Sequence, residues 1–301
     1  MSLGLLLLPD FLLIACGFLL CRYTALNRPV WESAERLVYY LLFPVLLFNS
    51  IVNSPLQPSQ TMGLAGAGVG VMLCGVALAL SLRLWPGVDA GMHASGAQVA
   101  FRFNSYIALA LSERLGGAQG VAWMALIVAL CVPIANVAAV WSLARHGGHA
   151  YLRELARNPL IISTLAGLAV NAAGVTFPEA VATTLQRIGV AALPIGLLAV
   201  GAGLKLGGLK RAPGLAAALL TIRHAVLPAI GFGLGWALAL PAAQFQMVLL
   251  FAAMPTASSA YVLAARMGGD AAYVAGLVTL STVLGMVSIP LWLGLLSVLP
   301  A

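Results

Sequence analysis

Long apolar stretches, separated by short polar connections, dominate this chain of 301 residues. A helix needs about 20 apolar residues to cross the hydrocarbon core of a membrane, and the pattern predicts about ten such helices. The longest polar connection, residues 145–158, is too short to form a soluble domain. The predicted helices cover residues 3–20, 30–52, 60–84, 90–115, 118–144, 159–175, 179–204, 212–240, 243–267 and 271–299.

The composition agrees with a membrane protein. Hydrophobic residues make up 62% of the chain and charged residues only 8%, whereas roughly a quarter of an average soluble domain is charged. The net charge of +7 does not indicate nucleic-acid binding, because the basic residues form no stripe and no aromatic residues are interleaved with them. The four cysteines lie in apolar runs without a CxxC pair, so neither a zinc site nor a disulfide framework is predicted.

The positions of lysine and arginine predict the orientation in the membrane. Cytoplasmic loops carry an excess of these residues, and one orientation separates them clearly. With the N-terminus outside, only Arg114 and Arg187 fall on the outer side. An even helix count then places both termini outside, in a cell membrane such as the bacterial inner membrane. The inner loops and helix ends hold Arg22, Arg28, Arg36, Arg83, Arg145, Arg153, Arg157, Lys205, Lys210, Arg211 and Arg266.

The two halves of the chain can be aligned with each other. Each half, residues 1–148 and 149–301, holds about five predicted helices, and an odd number inserts the second half from the opposite side. Such inverted repeats are typical of secondary transporters. The offset is 150 for Pro9 and Pro159, Gly17 and Gly167, and Pro44 and Pro194, and it is 152 for Arg114-Leu115-Gly116-Gly117 and Arg266-Met267-Gly268-Gly269.

The fourth predicted helix of each half has polar residues at the midpoint of its span. These segments read QVAFRFNSY at 98–106 and FAAMPTASSAY at 251–261, and an offset of 152 aligns Asn104 with Thr256. Broken helices at this depth leave free N–H groups and positive helix ends that suit an anion. Plain packing is the alternative for the serines and threonines. The predicted substrate-binding residues are Arg102, Asn104, Ser105, Pro255, Thr256, Ser258 and Ser259.

Two arginines fall inside predicted helices. Arg102 lies about 18 Å along its helix, too deep for its side chain to reach the interface, so we predict that it binds an anion. Pairing with backbone carbonyls or a helix end is its alternative role. Arg223 and His224 are either a snorkelling arginine and a packed histidine or a substrate-facing, proton-sensitive pair. Candidates for ion coupling or for supporting the site are Gln98, Asn49, Arg223 and His224.

The sequence offers little for ion coupling or for catalysis. No aspartate or glutamate lies deep in a predicted helix, which weakens a case for H⁺ or Na⁺ coupling, although carbonyls at the breaks could hold sodium. HExxH, GxSxG and GxxxxGK[ST] motifs are missing. His146 and His149 lack further metal ligands, and His93 and His224 have no evident partner for catalysis. We therefore expect no enzyme, no metal site and no cofactor.

Three segments resemble a known family. LVYYLLFPVLLFNSI at 37–51, FRFNSYIALALSERLGG at 101–117 and LFAAMPTASSAYVLAARMGGD at 250–270 resemble the bacterial branch of the auxin efflux carrier family, which includes the plant PIN proteins and malonate transporters. The resemblance covers essentially the whole chain. Asn104 matches the polar residue after the break in the fourth helix, and Pro255 matches the crossing proline of the ninth. Phe103 replaces a proline of the plant pattern, so a milder first break is expected.

This resemblance implies a fold similar to that of bile acid–sodium symporters, with ten helices and both termini outside. A scaffold, often dimeric, would come from helices within 1–55 and 153–205. A transport domain would come from helices within 56–152 and 206–301, with the fourth and ninth helices broken and crossing. An organic anion would bind beside the crossing and move by an elevator motion. Regulation through the long cytosolic loop of the plant carriers is not implied, because residues 145–158 replace that loop.

The hypothesis from the sequence is a carrier for a small carboxylate, such as malonate or an aromatic acetic acid. A sodium-coupled symporter of the bile-acid type is the main alternative, because it would have nearly the same fold. A channel would pass currents far above carrier turnover. A membrane-embedded enzyme would need a nucleophile and a base that the sequence does not offer.

Overall fold

The structure is a computed structural model that describes residues 3–53, 58–143, 159–204, 211–257 and 259–298. Every regular element within these ranges is helical. Five helical stretches there are long and apolar enough to span a membrane, and shorter apolar helices accompany them. The chain is therefore an all-α polytopic membrane protein, as its apolar pattern predicts. The five stretches are Thr61–Leu84, Ala90–Leu143, Glu179–Ala202, Pro213–Ala237 and Ala271–Leu296.

The helix bounds agree with the predicted ranges to within a few residues, apart from breaks inside the predicted fourth and ninth helices and a one-residue interruption at Ala191 inside the predicted seventh. Gly117, with a positive φ of 55°, divides α7 into two helical stretches. Five-residue π-helical segments precede α3 and α12, at Val38–Leu42 and Ile222–Val226. The helices are α1 Leu3–Tyr23, α2 Arg28–Leu37, α3 Phe43–Val52, α4 Pro58–Ser81, α5 Ala90–Gly96, α6 Gln98–Phe101, α7 Ser105–Leu143, α8 Pro159–Ala172, α9 Glu179–Val190, α10 Ala192–Ala202, α11 Pro213–Thr221, α12 Leu227–Ala237, α13 Ala242–Ala253, α14 Ser259–Arg266 and α15 Ala271–Val298.

The chain divides into two compact units, each built from segments of both halves. The first unit is Met1–Thr61, Tyr106–Ala129 and Leu152–Gly203. The second unit is Met62–Ser105, Leu130–Tyr151 and Leu204–Ala301. Residues 106–129, which the family resemblance would place in a transport domain, group with the first unit.

Close backbone contact between α1 and α10 organises the first unit. A Cβ atom added at Gly17 in α1 would overlap the backbone of Leu198 in α10. A Cβ atom added at Gly201 in α10 would overlap the backbone of Ile14 in α1. Small residues allow membrane helices to approach this closely, because lipid supplies no hydrophobic force between helices and packing must hold them.

A related contact joins α8 to α3 in the same unit. An added Cβ at Gly167 in α8 would lie 3.1 Å from the Cβ of Ile51 and 3.3 Å from the carbonyl oxygen of Phe48. The side-chain amide of Asn171 donates to the carbonyls of Ile51 and Val52, both at 3.0 Å. These carbonyls belong to the last turn of α3, where intrahelical partners are missing, so Asn171 caps that helix.

Each π-helical segment ends two residues before a proline, Pro44 in α3 and Pro228 in α12. Proline has no N–H to donate to the carbonyl four residues earlier, and inside a membrane that carbonyl needs another partner. For Pro228 the partner is visible, because the indole Nε1 of Trp292 donates to the carbonyl of His224 at 2.9 Å. This bond holds α15 against the π-helical segment of the second unit.

Asp270 caps the N-terminus of α15 in the second unit. Its carboxylate accepts from the backbone N–H of Tyr273 at 2.9 Å and pairs with Arg211. Its own N–H donates to Ser95 Oγ at 2.9 Å. Burial alone would raise the pKa of Asp270, but the bonds from Tyr273 and Arg211 outweigh burial and hold the pKa below its ordinary value. The loop before α15 is thereby fixed to the end of α5.

Candidate functional site

The first break lies between α6 and α7, in the second unit. Arg102, Phe103 and Asn104 are not helical, and Arg102 has the extended angles φ −67° and ψ 145°. Helix α7 resumes at Ser105, whose side chain is half-buried. The sequence suggests a mild break here because Phe103 stands in place of a proline. The structure shows an interruption of three residues.

The second break lies between α13 and α14. Met254 has extended angles, φ −59° and ψ 141°, and the residues from Met254 to Ala257 are not helical. Pro255 explains this break, because a proline disfavours the helical conformation of the residue before it. Ser258, one of the predicted binding residues, lies outside the described residues, and α14 begins at Ser259.

The two breaks contact each other. The backbone N–H of Asn104 donates to the carbonyl of Pro255 at 2.8 Å. The ring of Phe103 meets that of Phe251 edge to face, with centroids 4.8 Å apart. The structure thus brings the backbones of Asn104 and Pro255 together.

Thr256 lies in the second break and is completely buried. Its backbone N–H donates to Ser281 Oγ of α15 at 3.0 Å. Its hydroxyl oxygen has no hydrogen-bond partner among the described residues. A buried hydroxyl without a partner is costly, so this oxygen is available to a ligand at the break.

Arg102 is buried, with 8% of its surface exposed. Its guanidinium donates to Ser259 Oγ at 3.1 Å and to the side-chain oxygen of Asn136. The sequence predicts the depth of Arg102 and the proximity of Ser259 but misses Asn136. The available signal is an amide side chain within a largely apolar run in the second stretch of α7, which also holds Gln119 near its start.

Arg223 lies in the π-helical segment and is 1% exposed. It donates to the carbonyl of Ala100 at 3.4 Å, to that of Phe251 at 3.3 Å and to that of Ala252 at 2.6 Å. Ala100 belongs to α6 and the other two to α13, so one guanidinium contacts both helices beside their breaks. Its side chain does not snorkel toward the interface.

His224, the next residue, contacts two serines of α15, one of which connects it to the second break. Its Nε2 is 2.8 Å from Ser281 Oγ and its Nδ1 is 2.9 Å from Ser288 Oγ. Ser281 also accepts from the N–H of Thr256, so a chain of hydrogen bonds joins His224 to the break. The sequence does not single out Ser281. The signal is its place in the polar cluster Thr279, Ser281 and Thr282.

Gln98 and Asn49 differ in their surroundings. Gln98 is fully buried in α6, where its amide nitrogen donates to the carbonyl of Ser95 at 3.1 Å and its oxygen has no partner among the described residues. Asn49 lies on α3 in the first unit, and its carbonyl and side-chain oxygens accept from the amide of Asn53 at 2.8 and 3.0 Å. The described contacts of Asn49 join it to its own helix.

The charge of the site is positive. The buried polar side chains of the described residues include Arg102 and Arg223 but no aspartate or glutamate. The hydrogen-bond partners named above for the two guanidinium groups are neutral, and the helices α7 and α14 begin at the two breaks with their positive ends. Within the described ranges, no group of three or more histidine, cysteine, aspartate or glutamate residues is placed to hold a metal ion. The arrangement is suited to hold an anion.

Apolar spanning helices and a buried polar site at two touching breaks define the class as a polytopic membrane protein with its polar chemistry inside the span. The sequence profile of the family described as "Membrane transport protein" matches residues 109–293, more than half of the chain. The chain belongs to this family, which is the auxin efflux carrier family that the sequence resembles.

Two relatives cover nearly the whole chain. An "Uncharacterized transporter" of Methanothermobacter thermautotrophicus is 24% identical over 297 residues, which are 95% of this chain and 95% of that protein. A "Putative malonate transporter" of Rhizobium meliloti is 25% identical over 277 residues, which are 87% of this chain and 86% of that protein. Family and relatives are thus described as transporters.

Proposed function

We propose that the protein is a secondary transporter for a small organic anion, a carboxylate such as malonate or an auxin-like aromatic acid. The observation that carries this proposal is the contact between the two breaks, Asn104 N–H to the Pro255 carbonyl at 2.8 Å, beside the buried guanidinium of Arg102. A relative named for malonate supports the choice of substrate class.

The substrate carboxylate would bind at the crossing in the second unit. Arg102 supplies a charged, two-pronged donor that matches a carboxylate. Its present partners, Ser259 and Asn136, are neutral and can be exchanged for a carboxylate at small cost. The N-terminal ends of α7 and α14 add partial positive charge. The other binding groups would be Asn104, Ser105, Thr256 and Ser258, with Pro255 fixing the break.

Transport would follow the elevator scheme that inverted repeats permit. Ten helices in two inverted five-helix repeats, residues 1–148 and 149–301, would form a scaffold and a transport domain. The division of the chain into two compact units that each draw on both halves supports this scheme, because a moving body must be packed within itself. The scaffold would form a homodimer within the lipid of the cell membrane, with both termini outside.

Ion coupling separates this proposal from the sodium-coupled symporter. The sharpest test is charge movement in proteoliposomes on a solid-supported membrane, with a panel of carboxylates at equal pH and without sodium. A saturable current for one class of carboxylate would identify the substrate class and show that transport does not require sodium. Current that appears only with sodium would favour the bile-acid-type symporter, and proton coupling would show as a dependence on the pH gradient.

The same assay tests the binding site through Arg102. We expect Arg102→Ala to abolish the carboxylate current while the protein stays folded and monodisperse, because the charge that recognises the anion is lost. Arg102→Lys should keep a weakened current, since an ammonium retains charge but not the bidentate geometry. Arg187→Ala, which removes an exposed arginine of α9, is the matched control. A wild-type current in Arg102→Ala would refute this site.

A further inference from the structure

Arg223 contacts two helices that are distant in the chain. Its carbonyl partners belong to the last turn of α13 and to the end of α6, each just before a break. Among the described residues no ion pair involves this side chain. The carbonyl oxygens are therefore the described partners of a buried guanidinium that is 1% exposed.

The ends of broken helices create an electrostatic problem inside a membrane. The last carbonyls of a helix have no intrahelical partner and carry partial negative charge. No lipid or water satisfies them in the membrane interior, and such carbonyls can attract a metal cation. At this crossing the guanidinium of Arg223 donates hydrogen bonds to these carbonyls, and it does so at the ends of two helices.

We propose that Arg223 is a positioning residue whose guanidinium is the shared C-terminal cap of α6 and α13, which holds the two breaks in the geometry that binds substrate. Arg223 itself does not touch the substrate, whose identity rests on the proposed function. The proposed capping of the two helices does not depend on which substrate the protein transports. Lysine would not replace this arginine, because an ammonium is a single point of charge, whereas the planar guanidinium reaches carbonyls of two helices.

The test compares the wild type with Arg223→Lys, Arg223→Ala and the control Arg187→Ala, each as the full-length protein in detergent or lipid. Hydrogen exchange without substrate is followed in peptides covering 98–104 and 250–257 and in peptides of the other helices. Malonate transport is measured as KM and kcat in proteoliposomes. Both readouts are repeated with methylguanidinium and with methylammonium at equal concentration, because a small guanidinium can refill the space that alanine leaves.

We expect Arg223→Ala to speed hydrogen exchange in both peptides by about tenfold to a hundredfold. This range is the change in equilibrium expected when a hydrogen bond to a charged group is lost, about tenfold to a hundredfold. KM should rise more than kcat falls, because the geometry that binds substrate is disturbed. Methylguanidinium should reverse both effects, and methylammonium should not. Arg223→Lys should speed exchange in at least one of the two peptides, because the lysine ammonium can replace only part of the hydrogen bonds that the guanidinium donates to the two helix ends.

Three results would overturn the proposal. The first is unchanged hydrogen exchange in both peptides of Arg223→Ala, and the second is a uniform rise in exchange over all described helices. The third is a loss of exchange protection and of transport in Arg223→Ala that methylguanidinium does not reverse. The wild type could move no carboxylate while Arg223→Ala speeds exchange in both peptides and methylguanidinium restores the slow exchange. In that case the proposed substrate is wrong and the proposed cap is correct. The two proposals therefore fail separately.

Discussion

At the scale of single residues, the two buried arginines of the second unit have different partners. Arg102 donates to the side chains of Ser259 and Asn136, whereas Arg223 donates to backbone carbonyls. Side-chain partners can rotate away when a substrate arrives, but carbonyls of a helix end cannot. The difference agrees with the proposed roles, substrate binding for Arg102 and support for Arg223.

A pair of substitutions at Asn136 tests the role of Arg102. We expect Asn136→Asp to weaken malonate binding by about tenfold or more, because a carboxylate beside the guanidinium would compete with the substrate for charge-assisted hydrogen bonds. Asn136→Ala keeps the charge of Arg102 and should change binding much less. Titration calorimetry on purified protein gives both dissociation constants. Equal affinity in the two variants would argue against Arg102 as the anion-binding group.

Sequence reasoning reaches some of these residues and misses others for a physical reason. The depth of Arg102 follows from counting residues along an apolar stretch, and the break at Pro255 follows from the chemistry of proline. Asn136 and Ser281 are missed because they are distant in the chain, and their partners depend on how helices pack. An isolated amide such as that of Asn136, far along the chain from the other amide of the stretch at Gln119, gives no local pattern.

At the scale of helices, the two breaks have different causes. Pro255 prevents the helical conformation locally, but the residues 102–104 include no proline. Contacts from elsewhere hold the first break open, namely the bond from Asn104 to the Pro255 carbonyl and that from Arg223 to the Ala100 carbonyl. Local sequence does not report such distant contacts, so the three-residue interruption at 102–104 could not be read from Phe103 alone.

The close approach of α1 and α10 predicts that replacing a glycine at this contact destabilises the protein more than replacing a glycine with free space around it. Gly201→Ala should destabilise the protein by about 1–3 kcal/mol, because the new methyl group would overlap the backbone of Ile14 and over-pack the interface. Gly66→Ala in α4 meets no atom within 4 Å and should be neutral or stabilising by up to about 1 kcal/mol. The midpoint of unfolding in an SDS titration measures both. Equal midpoints for the two variants would mean that α1 and α10 are not in direct contact.

At the scale of the whole molecule, equivalent contacts in the two halves support the proposed repeat. Gly17 packs against Leu198, and Gly167 packs against Phe48, and each residue of one pair is 150 positions from its counterpart. The breaks follow the second offset, because Arg102 and Met254 are 152 positions apart. Sequence matches alone identify the glycines. The structure adds their partners, which no alignment of the two halves contains.

Reporter fusions test the proposed orientation of the whole chain. Alkaline phosphatase fused after Ala301 should be active and green fluorescent protein there should be dark, because the charge bias predicts that this end lies outside. The same reporters inserted in the connection 145–158, which should be inside, are the control with the opposite signals. A fluorescent fusion at Ala301 would reverse the orientation.

The buried guanidinium groups of the second unit also have a consequence for energy supply. An elementary charge that crosses the membrane field changes its energy by about 2.3 kcal/mol per 100 mV. If this unit translates across the field, as an elevator requires, the membrane voltage pulls the empty, positive unit toward the negative interior. A bound dianion such as malonate would cancel much of that pull. The charges proposed to bind the substrate would thus also set the resting position of the unloaded protein and make turnover depend on voltage.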